Sequence, residues 1–371
     1  MLMMKKILFL MQLPPPIHGA SVVNKSIQES FLINKEFESV FINISPAKEL
    51  SDLGRVTFVK ILNTIKLNFK VFNLFRKFKP DLVYLTLSPH GAAFYKDSFL
   101  ALMIKFLGGK LVFHMHGKGI AAEAKKSRFK KTLYRAVFKG VDVIHLSESL
   151  FYDVEPVRDH TRKLVAIPNS VPTPPALTVG RDESIVTFVY LSNLVRTKGA
   201  DILLRAAALV PAHLQDKFEV KIVGKANDKK YADEIQELLD NNAFDNVRFI
   251  GPKYGDDKYL ELLSADVFVL PTRFKNECFP LTILEAMSSG LAVISTQEGA
   301  IPTIVESGVS GEVLEDCTPE VLAEAMVKYI ENPEYLKACA KAGKEKFYTH
   351  YTQQVFEENL SSTLKMFASR A

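Results

Sequence analysis

The chain has 371 residues, which is enough for two ordinary domains with full hydrophobic cores. A hydrophobic content of 47% and a charged content of 24% are typical of a globular protein. Its three cysteines, Cys278, Cys317 and Cys339, are scattered and form neither a disulfide framework nor a metal-binding spacing. Composition therefore excludes a small disulfide-stapled protein and a zinc module, and it fits a reducing compartment.

The net charge of +5 hides an asymmetry between the two halves of the chain. Residues 1–180 hold 26 Lys and Arg against 13 Asp and Glu, whereas residues 181–371 hold 21 against 29. Such a split predicts two domains and an anionic partner for the first, either nucleic acid or an anionic membrane surface. Because no helix-turn-helix, zinc-finger or RNA-binding signature accompanies the charge, we expect no nucleic acid.

The beginning of the chain, MLMMKKILFLMQLPPP, imitates a signal peptide. Its apolar run is short and leads into three prolines instead of a small-residue cleavage site, so a first buried strand is the better interpretation. No apolar stretch has the length of a membrane span, and Lys105 interrupts the longest, SFLALMIKFLGG. We expect a cytoplasmic protein, either free or peripheral on the inner face of the membrane.

Short apolar runs alternate with helical patterns along the whole chain. Apolar residues occupy both parities of these runs, which indicates parallel strands buried on both faces and an α/β fold. The predicted strands are KILFLMQL, VFIN, DLVYLTL, KLVFHMH, VDVIHLS and KLVAIPN, then SIVTFVYL, EVKIVG, NVRFIG, ADVFVLP and LAVIST. The pattern predicts two doubly wound, Rossmann-like domains that face each other across a ligand-binding cleft.

Proline-rich residues 172–184 separate the two series of strands and predict a linker. The N-terminal domain is then residues 1–171 and the C-terminal domain residues 185–350. Residues 351–371 predict a last helix, which we expect to pack back toward the N-terminal domain.

Two positions in the first domain follow predicted strands. Gly19 opens a helix directly after the first strand, where a doubly wound fold brings backbone close to a ligand phosphate, although a plain turn fits equally well. His116 ends the strand KLVFHMH and is expected to meet a sugar hydroxyl. His114, two residues earlier, is expected to be packed. The His-x-His pattern lacks further acids or cysteines to complete a metal site, so no metal is expected.

Basic side chains follow strands of the second domain. Arg196 and Lys198 lie in the loop LVRTKG, where cations could meet a diphosphate. A later loop, Gly251–Tyr254, could hold a nucleobase through its backbone amides with Lys253 alongside. For both loops the alternative is an ordinary solvated surface.

The stretch NECFPLTILEAMSSGLAVIST, residues 276–296, predicts a loop, a helix, a turn and a buried strand. Pro280 fits the first helical turn, and Gly290 fits a left-handed residue that ends the helix. The backbone amides of Cys278, Phe279, Leu281 and Thr282 would have no intrahelical acceptor. With the helix dipole, they favour an anion such as a diphosphate.

Two acids bracket this helix start. Glu277 precedes it and Glu285 lies one turn inside. Carboxylates repel phosphate, so they suit hydroxyl-rich groups on either side of it, a sugar at one end and a ribose at the other. The arrangement predicts a nucleotide-sugar site, and the alternative is a solvated helix edge.

Two basic helical segments of the first domain interleave Phe, Leu and Tyr with Lys and Arg. They are residues 66–79 and 125–139. Amphipathic helices of this kind bind anionic membrane surfaces, although a solvated face over an apolar core stripe gives the same pattern.

Five motifs in order resemble the retaining glycosyltransferases of family four, the group 1 transferases with the GT-B fold. They are the glycine loop at Gly19, the HG of residues 116–117, IPNSV, VRTKG, and the E-x7-E of residues 277–285 followed by GAIPTIVESGVSGEV. The PPPIHGA start and LSNL resemble a bacterial branch that builds surface polysaccharides. The resemblance covers nearly the whole chain.

The resemblance implies a retaining, metal-independent transferase without a cofactor. Its donor is a nucleotide diphosphate sugar, UDP rather than GDP, and its acceptor is a glycan or lipid-linked glycan. Glu285 would hold the ribose, and Glu277 would lie beside the sugar. Residues 279–282, which are Phe279, Pro280, Leu281 and Thr282, would surround sugar and phosphate.

Carried over in the same way, His116 would meet the sugar, Gly19 would admit the diphosphate and Lys198 would neutralise it. One departure stands out, because the family's Gly-Arg-Leu is Ser-Asn-Leu here and Asn193 replaces a phosphate-binding arginine. Either Arg196 takes over or the diphosphate is held more weakly. A nucleotide-sugar epimerase and a non-catalytic sugar-nucleotide-binding protein stay open as alternatives.

Overall fold

The structure is a computed structural model that describes residues 4–45, 58–180, 182, 184–226, 228–242 and 245–369. It divides into two compact units. Unit 1 comprises residues 1–169 and 354–371, and unit 2 comprises residues 170–353. Residues 172–184, predicted as a linker, lie in unit 2, and Arg181 and Glu183 fall outside the described residues.

Unit 1 is built on a six-stranded, fully parallel sheet with the order β2-β1-β3-β4-β5-β6. The strands are β1 (Lys5–Met11), β2 (Phe37–Asn43), β3 (Leu82–Thr86), β4 (Leu111–Met115), β5 (Asp142–His145) and β6 (Leu164–Ala166). Strands β3, β4 and β5 are buried along their full length, as expected for strands covered on both faces. The chain changes direction between β1 and β3, which places a ligand crevice beyond their carboxyl ends.

The α-helices that the structure describes in unit 1 lie mostly between its strands in the chain. They are α1 (Gly19–Glu29), α2 (Phe31–Glu36), α3 (Phe58–Phe78), α4 (Gly91–Phe106), α5 (Ile120–Lys126), α6 (Arg128–Phe138) and, from the end of the chain, α14 (Gln353–Ala368). Helix α14 meets α2, because the ammonium of Lys365 lies 2.7 Å from the carboxylate of Glu36 and the Ser361 hydroxyl bonds to the same group.

Unit 2 carries the second parallel sheet, with the order β12-β11-β10-β7-β8-β9. Its strands are β7 (Val186–Leu191), β8 (Phe218–Val223), β9 (Val247–Gly251), β10 (Val267–Leu270), β11 (Ala292–Thr296) and β12 (Gly311–Leu314). Here the winding reverses between β7 and β10, so the loops that follow these two strands border the crevice.

The helices of unit 2 follow its strands in the usual alternation. They are α7 (Ala200–Leu209), α8 (Lys229–Asn242), α9 (Gly255–Leu263), α10 (Leu281–Ser288), α11 (Ile301–Ile304), α12 (Pro319–Glu331) and α13 (Pro333–His350). The fold class is therefore as predicted, two doubly wound α/β units. Among the described residues, no helix has the length and apolar character required to cross a bilayer.

The structure differs from the sequence predictions in two details, one helix and one strand. The basic segment 125–139 is not one helix, because the Ser127 side chain accepts a hydrogen bond from the Lys130 amide and starts α6 separately from α5. Strand β12 was not predicted, since its sequence GEVL offers no continuous apolar run. The apolar segment SFLALMIKFLGG forms most of helix α4.

Candidate functional site

The amino end of α10 presents free backbone donors. The helix begins at Leu281, and Pro280 is its N-cap with ψ 118°, so the prediction that Pro280 lies in the first turn is wrong by one residue. Within the described part of the chain, the amides of Phe279, Leu281 and Thr282 have no acceptor. The first turn therefore keeps the donors and the positive dipole end that bind an anion.

The far end of α10 closes as predicted. Gly290 has φ +82°, and its amide donates to the Met287 carbonyl at 3.0 Å while the Leu291 amide donates to the Ala286 carbonyl at 3.1 Å. This is a Schellman ending, which leads directly into the buried strand β11.

Glu277 lies in the loop before α10 and is buried, with 8% of its surface exposed. This loop packs against Gly299, which follows β11. A Cβ added at Gly299 would lie 2.4 Å from the Glu277 carbonyl oxygen. The Ala300 amide donates to the Cys278 carbonyl at 2.8 Å. Only glycine allows this close approach together with φ +63°, so the sequence at 299 fixes the position of the Glu277 loop.

The ammonium of Lys198 bonds to Oε2 of Glu277. Lys198 follows β7, and Gly199 brings its loop against the end of β10, since a Cβ there would lie 2.2 Å from the Pro271 oxygen. The buried Thr272 connects the two loops, because its Oγ1 lies 3.4 Å from the Thr197 carbonyl and 3.5 Å from Glu277 Oε2. Two residues distant by 79 positions thus meet at the reversal point of the sheet.

Arg196 and Asn193 are placed differently from Lys198. The guanidinium of Arg196 makes a two-pronged ion pair with Glu234 of α8, with Nη1 at 3.0 Å from Oε1, and it lies over the Tyr231 ring at 5.0 Å. Asn193 is exposed, and its carbonyl accepts the Tyr190 hydroxyl at 3.3 Å. In this structure Lys198 bonds to a predicted site acid, and Arg196 does not.

Glu285 lies one turn inside α10 and is nearly enclosed. Its Oε1 accepts a hydrogen bond of 2.6 Å from Nζ of Lys258, a residue of α9. Burial raises the pKa of the Glu285 carboxyl, and the charge and hydrogen bond of Lys258 oppose that rise.

The predicted nucleobase loop, Gly251–Tyr254, connects β9 to α9, and Gly251 takes φ +78°. Lys253 is half-buried, and no ion pair of its side chain occurs among the described residues. A largely apolar cavity of about 270 Å³ adjoins this loop. Pro252 of the loop and Phe249 of β9 line it, together with side chains of α8 such as Ile235 and Leu239.

In unit 1, Gly19 begins α1 as predicted and is exposed, with open space around the position of a Cβ. His18 caps the helix, because its Nδ1 accepts from the Ser21 amide at 3.4 Å and the Ser21 hydroxyl accepts from the His18 amide at 2.9 Å. This capping box occupies part of the helix end, so His18 has a structural role and is not a plain surface residue.

His116 lies just beyond β4 in a group of buried histidines. Its ring centroid is 4.1 Å from that of His114, whose Nδ1 bonds to the Tyr84 hydroxyl. Burial lowers the pKa of His116 to about 3 and that of His145, at the end of β5, to about 4, and it places the pKa of His114 well below its ordinary value. These imidazoles are neutral at physiological pH, so His116 can orient a hydroxyl but cannot supply a positive charge.

Across the residues that the structure describes, no three or more His, Cys, Asp or Glu side chains form a metal-binding group.

The carboxylate of Asp153 caps the amino end of α5, which follows His116. It accepts hydrogen bonds from the amides of Gly119, Ile120 and Ala121 at 2.9–3.1 Å.

No role was predicted from the sequence for Lys258, Thr272 and Gly299 of unit 2 or for Asp153 of unit 1. Gly299 had a signal, a glycine following a buried strand, but the other three are common residue types in ordinary loops and helices. Their roles depend on partners that are distant in the chain.

The chain is similar in sequence to known glycosyltransferases. Residues 179–346 match the sequence model of the family described as "Glycosyl transferases group 1". An uncharacterized glycosyltransferase of Methanocaldococcus jannaschii is 21% identical over 260 residues, which are 66% of this chain and 65% of that protein. The chain thus spans less than two thirds of the length of this curated relative.

Solved structures share the fold along nearly the whole chain. A glycosyltransferase from Rickettsia africae has a TM-score of 0.76 at 16% identity and covers 99% of this chain and 100% of its own. Anabaena HepE, solved in complex with UDP, has a TM-score of 0.73 at 18% identity and covers 97% of this chain and 100% of its own. Both similarities concern the two-unit fold, which is that of GT-B glycosyltransferases.

Proposed function

We propose that this chain, whose residues 179–346 match the sequence model of the glycosyl transferases group 1, is a retaining glycosyltransferase of family four. It transfers a sugar from a nucleotide diphosphate sugar to a glycan or lipid-linked glycan in bacterial surface polysaccharide synthesis. One observation carries the proposal: among the described residues, three amides at the amino end of α10 have no acceptor, and an acid lies on either side of them, each bonded to a lysine.

The donor lies along that helix end. Its diphosphate takes the amides of Leu281 and Thr282, where the helix dipole favours negative charge. The ribose hydroxyls donate to Glu285, and the sugar hydroxyls donate to Glu277. Carboxylates suit hydroxyl donors and repel phosphate, so the order ribose, diphosphate, sugar follows from the order of these groups in the chain.

Lys198 supplies the mobile positive charge. In this structure its ammonium bonds to Glu277, and the diphosphate of an arriving donor competes for it. When the bond from the sugar C1 to the phosphate oxygen breaks, Lys198 and the α10 amides stabilise the charge that develops on the leaving diphosphate. They act where other transferases use a divalent cation, so we propose that no metal is required.

The acceptor hydroxyl attacks C1 from the face that the diphosphate leaves, and its proton passes to the leaving phosphate oxygen. This front-face course retains the configuration at C1 and needs no covalent nucleophile. His116 orients hydroxyl groups as a neutral imidazole, and Gly19 leaves backbone space for phosphate beside α1. Arg196 joins only after it leaves Glu234, an exposed ion pair of the kind that costs little to break.

UDP is the proposed nucleotide, ahead of GDP. HepE, which has the same fold, was solved with UDP. We propose that Lys253 and the Gly251–Tyr254 loop contact the base, because this loop leads into α9, whose Lys258 bonds to Glu285.

We further propose that unit 1 binds an anionic membrane surface. Helix α4 contacts both α3 and α6 and carries an apolar stripe at helical spacing, Tyr95, Phe99, Leu102 and Phe106, all of them exposed. Exposed lysines and arginines lie on α3 and α6, which contact α4, and on α5, which contacts α6: Lys66, Lys70, Lys125, Lys126, Arg128 and Lys131. Exposed aromatic residues together with exposed cations are what an interface of anionic lipids favours.

A panel of UDP-sugars and GDP-sugars tests the function. The proposal expects one donor to raise the melting temperature and to be hydrolysed slowly without acceptor, releasing sugar whose first-formed anomer retains the donor configuration by NMR. An epimerase would return a changed sugar still bound to its nucleotide. A non-catalytic binding protein, the class that Asn193 favours, would leave the bound donor intact.

A further inference from the structure

In Glu277 and Glu285, the two oxygens of each carboxylate have different surroundings. In Glu277, Oε2 carries the Lys198 ammonium, and in Glu285, Oε1 carries the Lys258 ammonium. In the described part of the chain, the second oxygen of each carboxylate has no hydrogen-bond partner. Each acid thus combines a charge partner with one open acceptor.

Lys258 is well fixed for such a role. Its side chain is about one fifth exposed and lies over the ring of Tyr259 at 4.9 Å. The Tyr259 hydroxyl donates to the Pro172 carbonyl at 3.3 Å, which ties the middle of α9 to the chain before β7. Lys258 therefore approaches Glu285 from a different helix with its ammonium already partly desolvated.

The ion pair with Lys258 affects whether the Glu285 carboxyl is protonated. The Glu285 side chain is largely buried, so an unpaired carboxyl at this position would bind a proton more tightly than an ordinary glutamate. A protonated carboxyl is a poorer acceptor for a ribose hydroxyl than a carboxylate. The groups that face Glu285 are Lys258 and, more weakly, Tyr259, so Lys258 is the cation that opposes protonation.

We propose that Lys258 is a positioning residue for the nucleotide: it keeps the Glu285 carboxylate charged and turns its open oxygen toward the ribose hydroxyls. Lys258 itself does not contact the nucleotide. The inference rests on the proposed function, because it assumes that Glu285 is the ribose ligand.

The test is calorimetric titration of UDP between pH 5.5 and pH 8 into the full chain and its variants. UDP affinity is expected to fall at low pH, where Glu285 becomes protonated, and we call this fall the acid limb. Removing the cation in Lys258→Met raises the pKa of Glu285, so the acid limb moves to higher pH. Below that limb, affinity falls about tenfold for each pH unit. Lys258→Arg restores the charge and returns the limb toward the wild-type position.

Glu285→Gln is the reference, because its amide does not titrate at this position. On the Glu285→Gln background, Lys258→Met should leave both the UDP affinity and its pH dependence unchanged, and the double variant has no unpaired buried carboxylate to disturb folding. A merely structural lysine would weaken binding equally at every pH and on both backgrounds.

The outcomes separate the two proposals. The inference is overturned if the wild-type chain binds UDP but Lys258→Met loses affinity at the same pH as the wild type. It is also overturned if Lys258→Arg does not restore the wild-type pH dependence. In both cases the proposed function stays intact. A wild-type chain that binds no nucleoside diphosphate at any pH overturns both.

Discussion

The ammonium of Lys198 bonds to the carboxylate of Glu277, although the two residues were expected to meet different parts of the donor. Both side chains are largely buried, so water screens the attraction between their charges less than at the surface. A diphosphate that takes Lys198 must release Glu277, and the released carboxylate becomes available to the sugar. The pair thereby couples diphosphate binding to sugar binding.

This coupling predicts opposite effects of the two partners on UDP, which has no sugar. Glu277→Gln frees Lys198, so UDP affinity should be unchanged or higher, while sugar transfer falls about 100-fold because the positioned carboxylate is missing. Lys198→Ala should weaken UDP binding about tenfold or more, the worth of a charge-assisted hydrogen bond. Calorimetry and a donor-hydrolysis assay measure the two quantities.

Lys275→Ala is the matched control, since this exposed lysine belongs to the loop that carries Glu277 and has no ion pair among the described residues. It should leave both quantities unchanged. Weaker UDP binding in Glu277→Gln would contradict the competition between carboxylate and diphosphate.

The α10 amides give a second prediction, which a backbone change can test. Leu281 is the first helical residue, where proline is well tolerated, so Leu281→Pro removes one amide donor without breaking the helix. UDP affinity should fall about tenfold. Leu281→Ala removes the same side-chain packing and keeps the amide, so it isolates the contribution of that donor. Equal affinities for the two variants would show that the diphosphate does not use this helix end.

A third prediction concerns the acid sensitivity of unit 1. His114, His116 and His145 are held neutral by burial, with pKa values below that of an unfolded histidine. Their contribution to stability is complete above about pH 6.5 and is lost as the pH falls, because only the unfolded chain takes up the protons. Each histidine should lower the free energy of unfolding by about 1.4 kcal/mol per pH unit below pH 6.

Urea unfolding followed by circular dichroism at several pH values measures this slope. His145→Asn keeps the acceptor that receives the Leu146 amide at 2.9 Å but cannot titrate, so its slope should be smaller by one histidine's share. Replacing the exposed His213 of unit 2 by Asn should leave the slope as it is. An unchanged slope in His145→Asn would mean that the buried imidazole takes up its proton in the folded state.

Metal independence is the fourth prediction. If Lys198 and the α10 amides carry the leaving-group charge, donor hydrolysis should proceed equally in EDTA and in excess Mg²⁺. A tenfold or larger stimulation by Mg²⁺ would assign that charge to a cation instead.

The strands could be predicted from the sequence because parallel strands covered on both faces are continuous apolar runs, as in Leu82–Thr86. Edge strand β12 escaped this rule, since Gly311 and Glu312 interrupt its pattern. The helix end at Leu281 and its closing glycine were predictable from local chemistry. The partners Lys198 and Lys258 were not, because each meets its acid only after strand order brings distant loops together.

The α4 stripe gives the last prediction. Phe106 is 90% exposed and Phe99 is 60% exposed, on a helix whose one acidic residue, Asp97, is buried. Liposomes that contain anionic phosphatidylglycerol should therefore bind the chain in a flotation assay, and high salt should weaken binding by screening the surrounding cations. Phe99→Ser with Phe106→Ser should abolish flotation but preserve UDP affinity, because both side chains lie in unit 1 and outside the core. A matched pair on α8, Gln236→Ser with Glu237→Ser, should float like the wild type. If the aromatic variant floats equally well, charge alone binds the membrane; if the wild type does not float with anionic liposomes, the membrane proposal fails.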